Sequence, residues 1–367
     1  MIRYVDLAAQ NRPLLEKLRQ VMAETVDGGG MILGRQTRIF EERLSALSGT
    51  RRAVGVNSGF DALALSLEAL GIGPGCEVIT APNSFIASAA AIANTGAKPV
   101  FVDVDDSFNM DPEKLDAAIT PRTRAVMPVH LHGRPAKIKA IREIADEYGM
   151  PVVEDCAQAI GASVDGQPVG SFGVAGCFSM HPLKNLGAMG DAGAVVTNDE
   201  GVYGKLALLR NHGLSDRDTC QLWGVNSRID ELHAAFLNVK MDMLAQWTNR
   251  KLEIAARYME GLEGLPLVLP SEGEGEQSVF SSFVIMVEGR DVFRQWMFDH
   301  GVECLIYYPT PLHLQPAAKR LGYSRGSFPV CEAQAEKILS LPSRPELSND
   351  EVDKVIKTIH TYFKELG

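Results

Sequence analysis

Lysine 184 stands in HPLKNLGAMGD, positions 181–191, between a β-rich run that ends near Ser179 and a turn that carries Gly187 and Gly190. Most lysines are solvated surface charges. The flanks here are different: Pro182, Leu183, Leu186, Ala188 and Met189 do not make a typical solvated face. Removing an amine from water disfavours its charged form, lowers its pKa and leaves a nucleophile that can form a Schiff base. A lysine used in that way needs an electron sink.

Pyridoxal phosphate is the usual sink, and a protein holds it through its ring nitrogen, its phosphate and its flat face. The ring nitrogen stays protonated only beside a carboxylate. Asp155, in VVEDCAQA, follows a β-rich run and is placed for that, although an aspartate there also suits the cap of a following helix. Three residues on, Gln158 can hydrogen-bond the phenolic oxygen of the ring. Phosphate favours free backbone N–H groups at a helix N-terminus. The stretch NSGFDALALSLEAL offers such a start, with Gly59 allowing close approach and Phe60 following it. Ser179 adds a hydroxyl at the same rim, and Phe85, in APNSFIASAAAI, can stack on the ring face. A lone aromatic such as Phe85 is otherwise a core residue.

These residues need a scaffold, and one is readable between residues 50 and 200. The runs RAVGV, EVITA, PVFVDV, RAVMPV, PVVED, GCFSM and GAVVT alternate with helical patterns, which predicts an α/β fold around a mainly parallel sheet. Phe60, Leu63, Leu67 and Leu70 recur at helical spacing, and Asp111-Pro112 marks a second helix start. In open parallel sheets chemistry collects at the carboxyl ends of the strands, where Asn57-Ser58-Gly59, Glu154-Asp155 and Ser179 with Lys184 fall. A helical stretch over 231–262 leads to the connector GLPLVLPSEGEGEQ. After it, VFSSFVIMV, DVFRQWMFDHGVE and two amphipathic segments predict a small α+β domain. The expected division is a large cofactor-binding domain over 1–245 and a small C-terminal domain over 246–367.

The composition narrows the partners. With 36 Lys+Arg against 46 Asp+Glu, the net charge of −10 argues against nucleic acid or an anionic membrane as partner. No run approaches the roughly 20 apolar residues of a membrane span. The opening MIRYVDLAAQ has an early Asp6 and no apolar core, so the expectation is a cytoplasmic chain without a secretory signal. Six scattered cysteines without a Cys-x-x-Cys pair fit a reduced compartment. No G-x-G-x-x-G follows the first strand, which sets a nicotinamide cofactor aside. His130 and His132 would share one face of a strand, but no third ligand lies nearby in sequence, so no metal is expected.

The segments SGFDAL, VITAPNSFIASAAAIANTGAKPVFVDVD, VVEDCAQAIGA, GCFSMHPLKNLGAMGDAGAVVTND, WGVNSRIDELHAA and YYPTPLHLQP resemble those of the DegT/DnrJ/EryC1/StrS sugar aminotransferases. They follow one another in family order from ILGRQTRIFEERL onward. The resemblance implies the aspartate-aminotransferase type of fold, fold type I of the pyridoxal-phosphate-dependent transferases, and a homodimer with active sites at the subunit interface. It places the cofactor-bearing lysine at Lys184, the partner of the ring nitrogen at Asp155, the phenolic-oxygen contact at Gln158 and a phosphate contact at Ser179. It also implies that Asn226 reaches the neighbouring subunit's phosphate. The implied donor is L-glutamate or L-glutamine, and the implied acceptor is a nucleotide-linked keto-deoxysugar.

Three positions depart from the family pattern. Phe60 replaces the usual threonine after Ser-Gly, Ile160 stands where a histidine is frequent, and Tyr308 takes a place where relatives often have histidine. Nothing in the sequence accounts for Ile160. Arg228, Tyr308 and His313 are placed near the acceptor, though Arg228 beside Asn226 also suits a structural ion pair. A dehydratase subset of the family replaces the lysine by histidine, and Lys184 argues against that chemistry. Alternatives kept open are a keto-cyclitol acceptor such as scyllo-inosose and a cofactor-binding regulator without turnover.

Overall fold

A computed structural model describes residues 1–366. Its main sheet runs in the spatial order Lys98–Phe101, Glu77–Thr80, Thr123–Met127, Val153–Asp155, Ala175–Ser179, Gly193–Thr197, Arg52–Val56. Bridges at Val126 to Val152 and Val129 to Asp155 join its two halves in parallel. Only Gly193–Thr197 runs against its neighbours. The mainly parallel sheet expected from the alternating runs is therefore present. Strands such as Glu77–Thr80 and Gly193–Thr197 are buried along their whole length, as expected of a sheet covered on both faces.

Helix Gly59–Ala69 lies on this sheet and buries Ala62, Leu63, Leu65 and Leu67 with Val54, Val153 and Val195. On the far side of the chain's sequence, strands Leu267–Val268, Phe283–Val287 and Ile338–Leu341 form a separate antiparallel sheet. Helices Leu244–Gly261, Arg290–Asp299 and Asn349–Leu366 supply its core, with Ile254, Tyr258, Phe293 and Ile359 around Phe283.

Several elements differ from expectation. Asp111 does cap, accepting from the Glu113 N–H, but the element it starts is the 3₁₀ turn Pro112–Lys114, followed by a second turn, Asp116–Ala118. The stretch 231–262 is two helices, Glu231–Met241 and Leu244–Gly261, broken at Asp242 and Met243. The division drawn between 245 and 246 falls inside the first turn of that second helix. Leu244 packs with the core of the main sheet and Ile254 with the C-terminal core, so the helix serves both. Ile2, from the opposite end of the chain, also joins the C-terminal core and bridges to Val302. His130 and His132 do not share a strand face: they belong to a turn in which His132 has φ of 59°.

One buried carboxylate ties the strand below the site to its surroundings. Glu154 accepts hydrogen bonds from the N–H groups of Gly170 (2.8 Å), Phe172 (2.8 Å) and Gly173 (2.7 Å), and meets His130 Nε2 at 3.0 Å. His130 Nδ1 accepts from the Ala136 N–H, so the proton of a neutral ring lies on Nε2 and points at Glu154. Gly173 permits the approach, since a Cβ there would stand 2.3 Å from the Val152 carbonyl oxygen. Replacing Glu154 by glutamine puts an amide NH₂ against donors in a dry site. Glu154→Gln should lower the unfolding free energy by about 3 kcal/mol, read by denaturant titration against the parent chain; a loss below about 0.5 kcal/mol would show that the four contacts do not act on a buried anion.

Candidate active site

At the carboxyl ends of the central strands lies a cavity of about 330 Å³. Asp155 ends strand Val153–Asp155 and is 3% exposed. Its Oδ2 accepts from Ser88 Oγ at 2.7 Å and its Oδ1 from the Ala157 N–H at 3.1 Å. Burial pushes its pKa up, and the Ser88 hydroxyl, the Ala157 N–H and the charge of Lys184 oppose that rise. Among the described residues no cation forms an ion pair with it.

Lys184 projects into the same cavity from the connection between the antiparallel strands Ala175–Ser179 and Gly193–Thr197. That connection is closed on itself: Met180 N–H donates to the Ala192 carbonyl, Ala188 N–H to Met180 and Lys184 N–H to His181, each at 2.8 Å. Gly187 is required inside it, because a Cβ there would lie 2.4 Å from the Pro182 carbonyl oxygen. Behind it, the buried Lys240 donates from Nζ to the Gly187 carbonyl at 2.7 Å, and burial lowers its pKa to about 8. Burial likewise lowers the Lys184 pKa, against the raising effect of Asp155. The connection thus presents a half-buried amine toward a buried carboxylate.

The remaining cofactor-facing positions gather around this pair. Ser58 caps helix Gly59–Ala69 by accepting from the Asp61 N–H, which leaves the Gly59 and Phe60 N–H groups of the first turn without helical partners. A Cβ on Gly59 would stand 2.5 Å from Ser179 Cβ, so the helix start and the Ser179 hydroxyl form one cradle. Gln158 Oε1 accepts from the His132 N–H at 2.8 Å, turning Nε2 toward the Tyr308 hydroxyl at 3.3 Å. Phe85 is 52% exposed, with its ring centroid 5.7 Å from that of Tyr308. Burial raises the Tyr308 pKa, so its hydroxyl stays protonated through the physiological range.

Three of the expected residues do not line this chain's own cavity, which for Asn226, expected at the neighbouring subunit's phosphate, is no contradiction. Asn226 is exposed and lies in an open groove beside Phe60 and Asp61, outside the cavity. Arg228 donates to Asn211 Oδ1 at 3.1 Å and also lies outside the cavity lining. The expectation for His313 is corrected: its ring is buried, meets Glu332 at 2.9 Å and packs edge-on against Phe328, so it does not line the cavity. Conversely, Tyr4, Ser84, Ser88, Ser282 and Tyr307 line it without having been anticipated. Ser84 and Ser88 carry a readable signal, an i, i+4 polar pair in an otherwise apolar helix start. Tyr4 carried none, since its partner Ser282 is 278 residues away.

This donor set fits pyridoxal phosphate. It offers an anion for the ring nitrogen, an amine beside it, an N–H and hydroxyl cradle for phosphate, and an aromatic face. Metal binding has a weaker basis: His130, Glu154 and Cys156 bring ligand atoms within 4.8 Å, but the Glu154 oxygens already accept four donors.

Comparison with known proteins agrees with this reading. The model of the DegT/DnrJ/EryC1/StrS aminotransferase family matches residues 14–360. A UDP-N-acetyl-3-dehydro-alpha-D-glucosamine 3-aminotransferase of Acidithiobacillus ferrooxidans is 44% identical over 98% of this chain and 97% of its own. A protein of Geobacillus stearothermophilus named pleiotropic regulatory protein is 40% identical over 99% of both. The crystal structure of S. venezuelae DesV superposes with a TM-score of 0.97 at 41% identity, covering 99% of this chain and 98% of that one. NtdA of Bacillus subtilis, solved with bound cofactor PMP, gives 0.93 at 30% identity, covering 99% of this chain and 85% of that one.

The lowered Lys184 pKa has a direct readout. A depressed pKa means that the neutral, reactive amine appears at lower pH than in an ordinary lysine. Modification of Lys184 by a small aldehyde, followed by peptide mass spectrometry across pH 6–11, should therefore show a midpoint below the ~10.4 of free lysine. Asp155→Asn removes a charge that supports the ammonium and should move the midpoint lower still; a midpoint moving upward contradicts the assigned electrostatics.

Proposed function

Because the chain belongs to the DegT/DnrJ/EryC1/StrS aminotransferase family and is a pyridoxal-phosphate-dependent aminotransferase, we propose that it moves an amino group from L-glutamate or L-glutamine to a nucleotide-linked keto-deoxysugar, giving an amino sugar for glycan or natural-product biosynthesis. The observation that carries this reading is the Lys184 amine facing the buried, cation-free Asp155 in one cavity. Bound pyridoxal phosphate supplies the electron sink that lets a proton and an amine move between two carbon skeletons.

Each residue then has a definite task. Asp155 holds the proton on the ring nitrogen, because separating that pair in a dry site is strongly unfavourable. Lys184 would take a proton from the donor carbon and return it two bonds away, on the far side of the transferred nitrogen, tethered beside both positions by its closed connection. Gln158 directs Nε2 toward the phenolic oxygen. The Gly59 and Phe60 N–H groups and the Ser179 hydroxyl receive the phosphate, and Phe85 covers the ring. Tyr308 meets the acceptor sugar, with its hydroxyl held by Gln158.

The same reading makes the protein a homodimer with shared sites, the exposed Asn226 reaching the phosphate bound by the other subunit and Arg228 following it toward the acceptor diphosphate. Supporting this, Trp223 and Val225 in the same segment are 90% and 45% exposed in the single chain. The Ser227 hydroxyl donates to Asp61 Oδ2 at 2.7 Å, which holds the segment beside the phosphate helix. The relative named as a regulator leaves a non-catalytic role as the competing outcome.

Incubation with pyridoxal phosphate, L-glutamate and a panel of UDP- and dTDP-linked keto-sugars should yield an amino-sugar nucleotide by mass spectrometry. Lys184→Ala should give none, and borohydride should fix the cofactor on the Lys184 peptide of the parent protein alone. Asp155→Asn should fold normally and lose on the order of 100- to 1000-fold in turnover. Failure of both glutamate and glutamine to bleach the cofactor absorbance would overturn the proposed turnover in favour of the regulator, and sedimentation at the mass of one chain would overturn the shared sites.

A further inference from the structure

Asp155 is oriented by two hydroxyls that no other part of the site explains. Ser88 is fully buried and Ser84 is 3% exposed, and both line the cavity. A serine inside a helix ordinarily bonds back to the carbonyl four residues earlier, as Ser66 does here to Ala62 at 2.7 Å. Ser88, in the first turn of helix Ile86–Asn94, instead donates to Asp155 Oδ2 at 2.7 Å. An ionised carboxylate only accepts, and a hydroxyl has one proton to give. Ser88 therefore accepts from Ser84, whose Oγ lies 2.7 Å away. The order of donors is fixed as Ser84 to Ser88 to Asp155.

We propose that Ser84 and Ser88 form a two-hydroxyl relay that locks the Asp155 carboxylate in the orientation the cofactor's ring nitrogen requires, making Ser88 a positioning residue of the site. The relay rests on the pyridoxal-phosphate reading given above. With Oδ1 held by the Ala157 N–H and Oδ2 by Ser88, the carboxylate cannot rotate, and its remaining lone pairs are left to face the cavity. The charged and titratable groups around it are few. Lys184 faces it from the connection, Tyr308 from the C-terminal lobe, His130 from its turn, Cys177 from the adjacent strand, and Glu154 and Cys156 flank it in the chain. His130 has both ring nitrogens engaged elsewhere, Nδ1 with the Ala136 N–H and Nε2 with Glu154. Ser88 is accordingly the first of the groups that oppose the effect of burial on Asp155.

The test uses the holoenzyme loaded with pyridoxal phosphate labelled with nitrogen-15 in the ring. In the parent protein the ring resonance should sit at its protonated position. Ser88→Ala should move it toward the neutral position, with about a tenfold lower ratio of protonated to neutral ring, the equivalent of one pK unit. Ser88→Thr keeps the hydroxyl and should restore the parent position, while Ser84→Ala should fall between. An unchanged resonance in a folded, loaded Ser88→Ala protein overturns the relay. Should that variant not fold, Ser88→Cys, a weak donor of similar shape, should give the intermediate position, and a parent-like position would overturn the relay equally. A second readout needs no cofactor: in the cofactor-free protein with carbon-13-labelled aspartate carboxyls, Asp155 should titrate at higher pH in Ser88→Ala than in the parent. A parent protein that never takes up cofactor would defeat the proposed function, while this titration would still decide the relay.

Discussion

Burying the Asp155 carboxylate without a cation in ion-pairing distance raises its pKa, and the surrounding groups are arranged to keep it usable as an anion. The neighbouring residue shows the alternative. Glu154 lies on the opposite face of the same strand with four donors on its two oxygens, so it is an internal fastener whose bonding capacity is spent. Asp155 has two protein donors and an open side. Two adjacent carboxylates thus have opposite fates because their strand alternates between a packed interior and a cavity. The unspent capacity of Asp155 is what a cationic ring nitrogen can satisfy.

The amine opposite it faces the mirror constraint. Desolvation favours neutral Lys184 and Asp155 favours the charged form, with desolvation the larger effect, so the amine gives up its proton more readily than an ordinary lysine. Geometry matters as much as charge. The connection that carries Lys184 is sealed by main-chain bonds at both ends and by the buried Lys240 behind Gly187, so the amine starts from a fixed base.

Much of this was legible in the sequence. Lys184 stood out because an isolated charge between apolar residues and glycines is unusual, and Asp155, Gln158 and Ser179 because each follows a β-rich run. The parallel sheet was readable from β-rich runs that alternate with helical patterns. What stayed hidden was set by distances along the chain. Tyr4 meets Ser282, and Ile2 enters the C-terminal core, through contacts that no local pattern announces. His313 looked like a rim residue beside a proline-rich turn, but Glu332 supplies a buried partner that sequence spacing does not reveal. The Asp111 cap was readable and the element after it was not, because a cap fixes where a turn begins and says little about how many turns follow.

The tyrosines of the cavity have a different origin from its charged floor, while Phe60 and Phe85 come from helix starts beside the main sheet. Asp155, Ser179 and Lys184 all belong to adjacent strands of one sheet or to the connection between them, whereas Tyr307, Tyr308 and Ser282 come from the C-terminal lobe and Tyr4 from the chain's start. The doorway is therefore framed by segments far in sequence from the strands that set the separation of amine and carboxylate. Substitution at the doorway can thus alter which bulky guest enters while the strands that carry the proton-handling pair keep their own residues.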